Sequence, residues 1–82
     1  MIKMDKIYYG IVQSWDHGYG FILDDQFGES IFVHHEDIKM PGFRSLQMGQ
    51  RVRFQLGFGK GDKMKCKNVE VITITRKGNF DD

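Results

Sequence analysis

Two short stretches limit what this chain can fold into: His17-Gly18-Tyr19-Gly20-Phe21-Ile22 and Ile31-Phe32-Val33-His34-His35. In each, large aromatic or β-branched residues alternate with a period of two, the mark of a strand whose side chains point to opposite faces in turn. Gly20 and Ile22 then share one face of the first strand, with Ile31 and Val33 on the matching face of the second, an ordinary core composition. The other face collects Tyr19, Phe21, Phe32 and His34. A chain of 82 residues has one modest core, so both faces of one sheet cannot be deeply buried. The aromatic face is therefore expected to be exposed, either as a binding platform or as a second apolar layer under a loop or a partner chain. Large exposed aromatic patches mark interaction surfaces, and flat rings suit the free faces of unpaired bases.

The remaining chain reads as further short strands. Lys6 to Trp15 has strand composition, with Gly10 as a bulge or bend, and Asp16-His17-Gly18 turns into the strand Tyr19 to Leu23. A loop at Asp24–Glu29 carries Phe27, exposed or folded back over the sheet, and Ser30 to His34 forms the third strand. His35-Glu36-Asp37-Ile38 suits one helical turn anchored by Ile38. After a long connection from Lys39 to Gly49, the segment Gln50 to Leu56 alternates cleanly, with Val52, Phe54 and Leu56 inward and Arg51, Arg53 and Gln55 outward. Gly57–Asp62 is expected to be a hairpin loop, and a last strand with room for one bulge runs from about Lys65 to Thr75. Five short strands without a long helical period predict an all-β, five-stranded antiparallel barrel, closure removing the edges an open sheet would expose. Residues 1–76 form the expected single domain, and residues 77–82 a disordered tail.

Composition excludes several classes. No apolar run approaches the ~20 residues that span a bilayer, and the charged N-terminus lacks a secretory apolar region. The single cysteine, Cys66, cannot form an internal disulfide. A cytoplasmic protein without a membrane partner is expected. The net charge of +1 is unevenly spread: residues 1–38 sum to −5 and residues 39–77 to +8. That segregation can present a basic patch to phosphates, although a solvated, Lys-rich surface explains it more simply. His34-His35-Glu36-Asp37 invites a metal or nuclease reading. Adjacent strand residues point apart, however, no ligand spacing repeats, and no nucleophile is paired with a base. Neither catalysis nor a metal or other cofactor is expected. The Tyr19 motif also looks like part of an RRM, but that fold needs two helices that the sequence lacks.

The order of elements resembles the cold-shock domain, the five-stranded OB-fold barrel of bacterial cold-shock proteins. The family's Lys-Gly-Phe-Gly-Phe-Ile is matched by His17–Ile22, and its Val-Phe-Val-His-Phe or -His by Ile31–His35. Gly42-Phe43-Arg44-Ser45-Leu46 resembles its Gly-Phe-Lys-Thr-Leu loop, Gly49-Gln50-Arg51-Val52 its Gly-Gln-x-Val, and Asn68-Val69 its Asn-Val. Two departures stand out. The family's Gly-Pro-Gln-Ala-Ala is replaced by Lys63–Lys67, and the segment from Gly10 reaches the first signature about two residues sooner than in the family. Trp15 therefore either stands for the platform Trp, or fills the place of the following Phe and leaves Ser14 at the platform site.

The resemblance implies binding of single-stranded RNA and DNA with low sequence specificity, by stacking, as an RNA chaperone affecting transcription or translation. The residues expected to contact nucleic acid are Gln13, Trp15, His17, Tyr19, Phe21, Phe32, His34, His35, Phe43 and Lys63; Lys60, Lys65 and Lys67 are as readily explained by solubility. A monomer is expected. The alternative is a protein-interaction or dimerisation module using the same aromatic face.

Overall fold

The computed structural model describes residues 6–40, 42 and 44–72. Five strands, β1 (Tyr8–Asp16), β2 (Tyr19–Asp24), β3 (Ser30–His34), β4 (Arg51–Phe58) and β5 (Met64–Val71), close into a barrel in the order β1-β2-β3-β5-β4. Four neighbouring pairs run antiparallel, and the barrel is closed by a parallel contact of β3 with β5, where Phe32 lies beside Lys65. Beyond β3 the chain makes one 3-10 turn, His35–Asp37, and Ile38 continues the seam as a parallel bridge to Val69. The expected anchor at Ile38 is thus fully buried. The expected tail at residues 77–82 and the segment Thr73–Thr75 lie outside the described residues.

The core is what the alternation dictates. Val12, Ile22, Ile31, Val33, Val52, Phe54, Leu56, Cys66 and Val69 fill the interior together with Tyr8, Ile38 and Leu46. Burial also pushes the Cys66 thiol far above its ordinary pKa, assisted by the charges of Asp24 and Asp37. Asp24 is buried too, and its Oδ2 accepts the Phe27 backbone N–H at 2.6 Å, which staples the β2–β3 loop. Phe27 remains exposed, with its ring 6.2 Å from that of Tyr8.

The hairpin between β1 and β2 decides the site. Its two turn residues, His17 and Gly18, both have positive φ (52° and 100°), as a two-residue type I′ connection requires. That turn sets Asp16 opposite Tyr19, Trp15 opposite Gly20 and Ser14 opposite Phe21. Continued without interruption, the same register would place Val12 on the outer face. Instead one residue, Gln13, is extruded as a bulge, after which Val12 faces Ile22 in the core. The sequence predicts a bulge or bend at Gly10; the bulge of β1 lies three residues further on, because the register must be reset between the turn and Val12. A second bulge lies in β5, where Asn68 and Val69 together oppose Phe54 and Asn68 takes a positive φ of 51°. At the other hairpin β4 extends through Phe58, two residues into the expected loop, and Lys60–Asp62 turn back in a 3-10 conformation.

Candidate nucleic-acid interface

The outer face of β2 and β3 carries two cross-strand pairs, Tyr19 with His34 and Phe21 with Phe32. Tyr19 is 46% exposed and Phe21 39%, with Phe32 and His34 half-buried between their neighbours. The Phe32 ring lies 6.1 Å from that of Tyr19, tilted by 32°, and 5.9 Å from that of Phe21, edge-on at 73°. These spacings hold the rings against one another while leaving their outer surfaces open. Of the four residues expected on one face, all four are there.

At the end of β3 the backbone turns, and this brings together two histidines that a straight strand would separate. His34 caps the 3-10 turn: its Nδ1 accepts the Glu36 backbone N–H at 3.3 Å, so a neutral His34 carries its proton on Nε2. The rings of His34 and His35 lie 4.4 Å apart, inclined by 36°, and the His35 backbone N–H donates to the Gly18 carbonyl at 2.8 Å. His35 is thereby laid against the β1–β2 turn. His17, at the tip of that turn, is exposed and paired with the Asp16 carboxylate.

Gln13 protrudes from the bulge and accepts a hydrogen bond from the Ser30 hydroxyl, which ties β1 to the start of β3 across the outer face. Trp15 does not join the platform. It pairs with Gly20 on the inward side and packs against the core, with its half-exposed edge lining an open groove of about 960 Å³ shared with His17, Gly18, His35 and Arg44. Ser14 occupies the place beside Phe21, so the second of the two arrangements open to the sequence is the one adopted. Phe43 lies outside the described residues. Lys63 stands at the β4–β5 hairpin, exposed and beyond the strand proper.

Sequence reasoning gave Lys65 no special weight, yet it is the residue next to Phe32 across the closing seam, held by Asp37 at 3.0 Å. Only the parallel β3–β5 contact brings it there, and no local pattern announces such a contact. Lys60 and Lys63 at the β4–β5 hairpin and Lys67 on β5 form no ion pair among the described residues. The β1 side of the platform carries Ser14 and Asp16. The remaining charges on the outer face are largely balanced: Arg51 grips Asp25 with both terminal nitrogens, at 2.9 and 2.6 Å, and Arg53 and Lys39 hold Glu70 at 2.6 and 3.3 Å. Among the described residues no group of three potential ligands could hold a metal, and no helix is long and apolar enough to cross a membrane.

A closed five-stranded barrel with an open aromatic ladder on its second and third strands is the architecture shared by small nucleic-acid-binding barrel domains. Residues 8–72 match the family model of the 'Cold-shock' DNA-binding domain, and the chain belongs to that family. Over 56 residues it is 48% identical to the cold shock-like protein CspA of Stigmatella aurantiaca, covering 67% of this chain and 79% of that one. It is 44% identical over 65 residues to protein lin-28 of Caenorhabditis briggsae, covering 76% of this chain and 27% of lin-28, so it spans about a quarter of that relative. The solved structure of drosophila Unr CSD456 superposes with a TM-score of 0.71, covering 89% of this chain and 29% of that one; at 15% identity this is a likeness of fold.

Proposed function

We propose that the protein binds single-stranded RNA and DNA with low sequence preference by stacking bases on Tyr19, Phe21, Phe32 and His34, with His35 extending the platform at one end. It acts in this reading as a cytoplasmic RNA chaperone that influences transcription or translation. The observation that carries the reading is the open ladder itself: two adjacent cross-strand pairs of ring side chains on an outward face, with Tyr19 and Phe21 exposed and Phe32 and His34 half-buried. Every base has a π-face, so such a surface is tolerant of sequence, and each stack is worth about 1–3 kcal/mol. Binding the unpaired strand shifts a duplex equilibrium by mass action, without an energy source.

The cations free to meet phosphates are few. With about two or three contacts at ~0.7 each, the slope of log affinity against log salt is expected near −1.5 to −2. Titration of oligo(dT) and oligo(rU) against a duplex of equal length tests the function. Preference for the single strand with a shallow slope supports it. Equal affinity for duplex with a steep slope would mean a merely basic surface.

A further inference from the structure

The apolar outer surface does not stop at the aromatic ladder. In the row next to Ser14 and Phe21, Ile11 stands opposite Leu23, and one row further Tyr9 stands opposite Arg53. Tyr9 is 45% exposed, and Ile11 and Leu23 are each 38% exposed, as open as Phe21. Leu23 points outward by alternation with Tyr19 and Phe21 on β2, whereas Ile11 and Tyr9 do so because the Gln13 bulge switches faces along β1: without it these two positions would face the core. The result is one continuous apolar track running from Tyr19 through Phe21 and Leu23 to Ile11 and Tyr9.

We propose that a single strand bound on the platform continues along this track, with the next nucleotides resting on Leu23, Ile11 and the ring of Tyr9. This rests on the stacking function proposed above and extends its footprint. Two features favour the strand as occupant. The track is continuous with the ladder, since Leu23 follows Phe21 on the same face of β2. Its stride also fits: successive outward residues of a strand are about 6.6–6.8 Å apart, roughly twice the 3.4 Å step per nucleotide within a duplex. A chain lying on it would be extended, with its bases parted and free to lie on side chains. Flanking charge is already balanced, Arg51 by Asp25 and Arg53 by Glu70, so the extension adds contact without adding salt dependence.

The test is a length series. Oligo(rU) of about six nucleotides is taken to fill the platform and about ten to reach Tyr9. For the unaltered protein the longer oligomer should bind more tightly than the greater number of registers alone explains, by at least about fivefold, and this excess should survive added salt. The double variant Ile11→Thr with Leu23→Thr, which keeps strand-forming residues, should lose the excess and bind the short oligomer unchanged. Tyr9→Thr alone should lose part of it, which provides a readout should the double variant fold poorly. An excess retained in both variants would overturn the extension and leave the platform standing, as would dimerisation without oligonucleotide, seen by sedimentation and abolished by the double variant, which would assign the track to a second copy. Loss of binding at every length in the unaltered protein would overturn the platform function and the extension together.

Discussion

Ser14 lies across from Phe21 in the β1–β2 ladder, while Trp15, its neighbour, lies across from Gly20 and turns its indole toward the core. The one tryptophan is thus taken from the platform, and a small polar residue stands where a ring would extend the Phe21–Phe32 pair. Two changes follow. Trp15→Ala should cost about 2–3 kcal/mol of stability, since a half-buried indole packed on the core is removed. Ser14→Trp should leave the fold intact and add one stack, tightening single-strand binding by about 1 kcal/mol or more. Thermal unfolding and oligonucleotide titration of both variants check the pair; a gain in affinity from Trp15→Ala, or none from Ser14→Trp, would contradict this placement.

Phe21→Ala and Phe32→Ala should each weaken binding of single strands by about 1–3 kcal/mol. Phe21 is outward and well exposed, so its unfolding midpoint should move little; Phe32, wedged between Tyr19 and Phe21, should lose somewhat more. Circular dichroism melts beside binding isotherms separate the two effects. If unfolding accounted for all of the lost binding, the rings would be core rather than platform.

Gly20→Ala should destabilise by about 2–3 kcal/mol, because an added Cβ would overlap the carbonyl oxygen of Ser14. The overlap is with backbone at the edge of the Gln13 bulge, which can yield only by moving β1 against β2. Denaturant unfolding measures the loss. The same shift disturbs Ser14 and Phe21, so binding per folded molecule should fall as well.

Hydrogen bonds from Arg53, and then Lys39, hold the Glu70 carboxyl below its ordinary pKa. The folded value therefore lies beneath the unfolded one of about 4.3. The stabilisation is fully present above that pH and is lost as pH falls through the folded value. Arg53→Gln should flatten the acid limb of the melting-temperature profile below about pH 4.3 and leave the neutral region nearly unchanged, the pair being exposed. An unaltered acid limb would show that the pair contributes nothing.

The face of each platform residue was legible before any coordinates because strand alternation is local: Tyr19 and Phe21 must share a side whatever the rest of the chain does. The inward set Val52, Phe54 and Leu56 was legible for the same reason. The sequence predicts a bulge or bend at Gly10, and the bulge lies three residues on, at Gln13, since a bulge answers to the mismatch between a turn and a distant core residue, here His17-Gly18 and Val12. Lys65 was named only among other hairpin lysines, because its position beside Phe32 depends on a parallel contact between strands far apart in sequence.

The sequence by itself thus determined the five strands, the inner and outer faces of β2, β3 and β4, and, through its two aromatic motifs, the family. Those features rest on side-chain period and short-range turn chemistry, which each segment carries alone. Tertiary structure decided which residue of β1 lies beside Phe21 on the aromatic face, how far the apolar surface runs and that Lys65 lies beside Phe32. Each of these depends on register between strands, and a shift of one residue moves every side chain of a strand to the opposite face. In β1 a single extruded residue, Gln13, makes that shift, sending Trp15 inward and Ser14, Ile11 and Tyr9 outward.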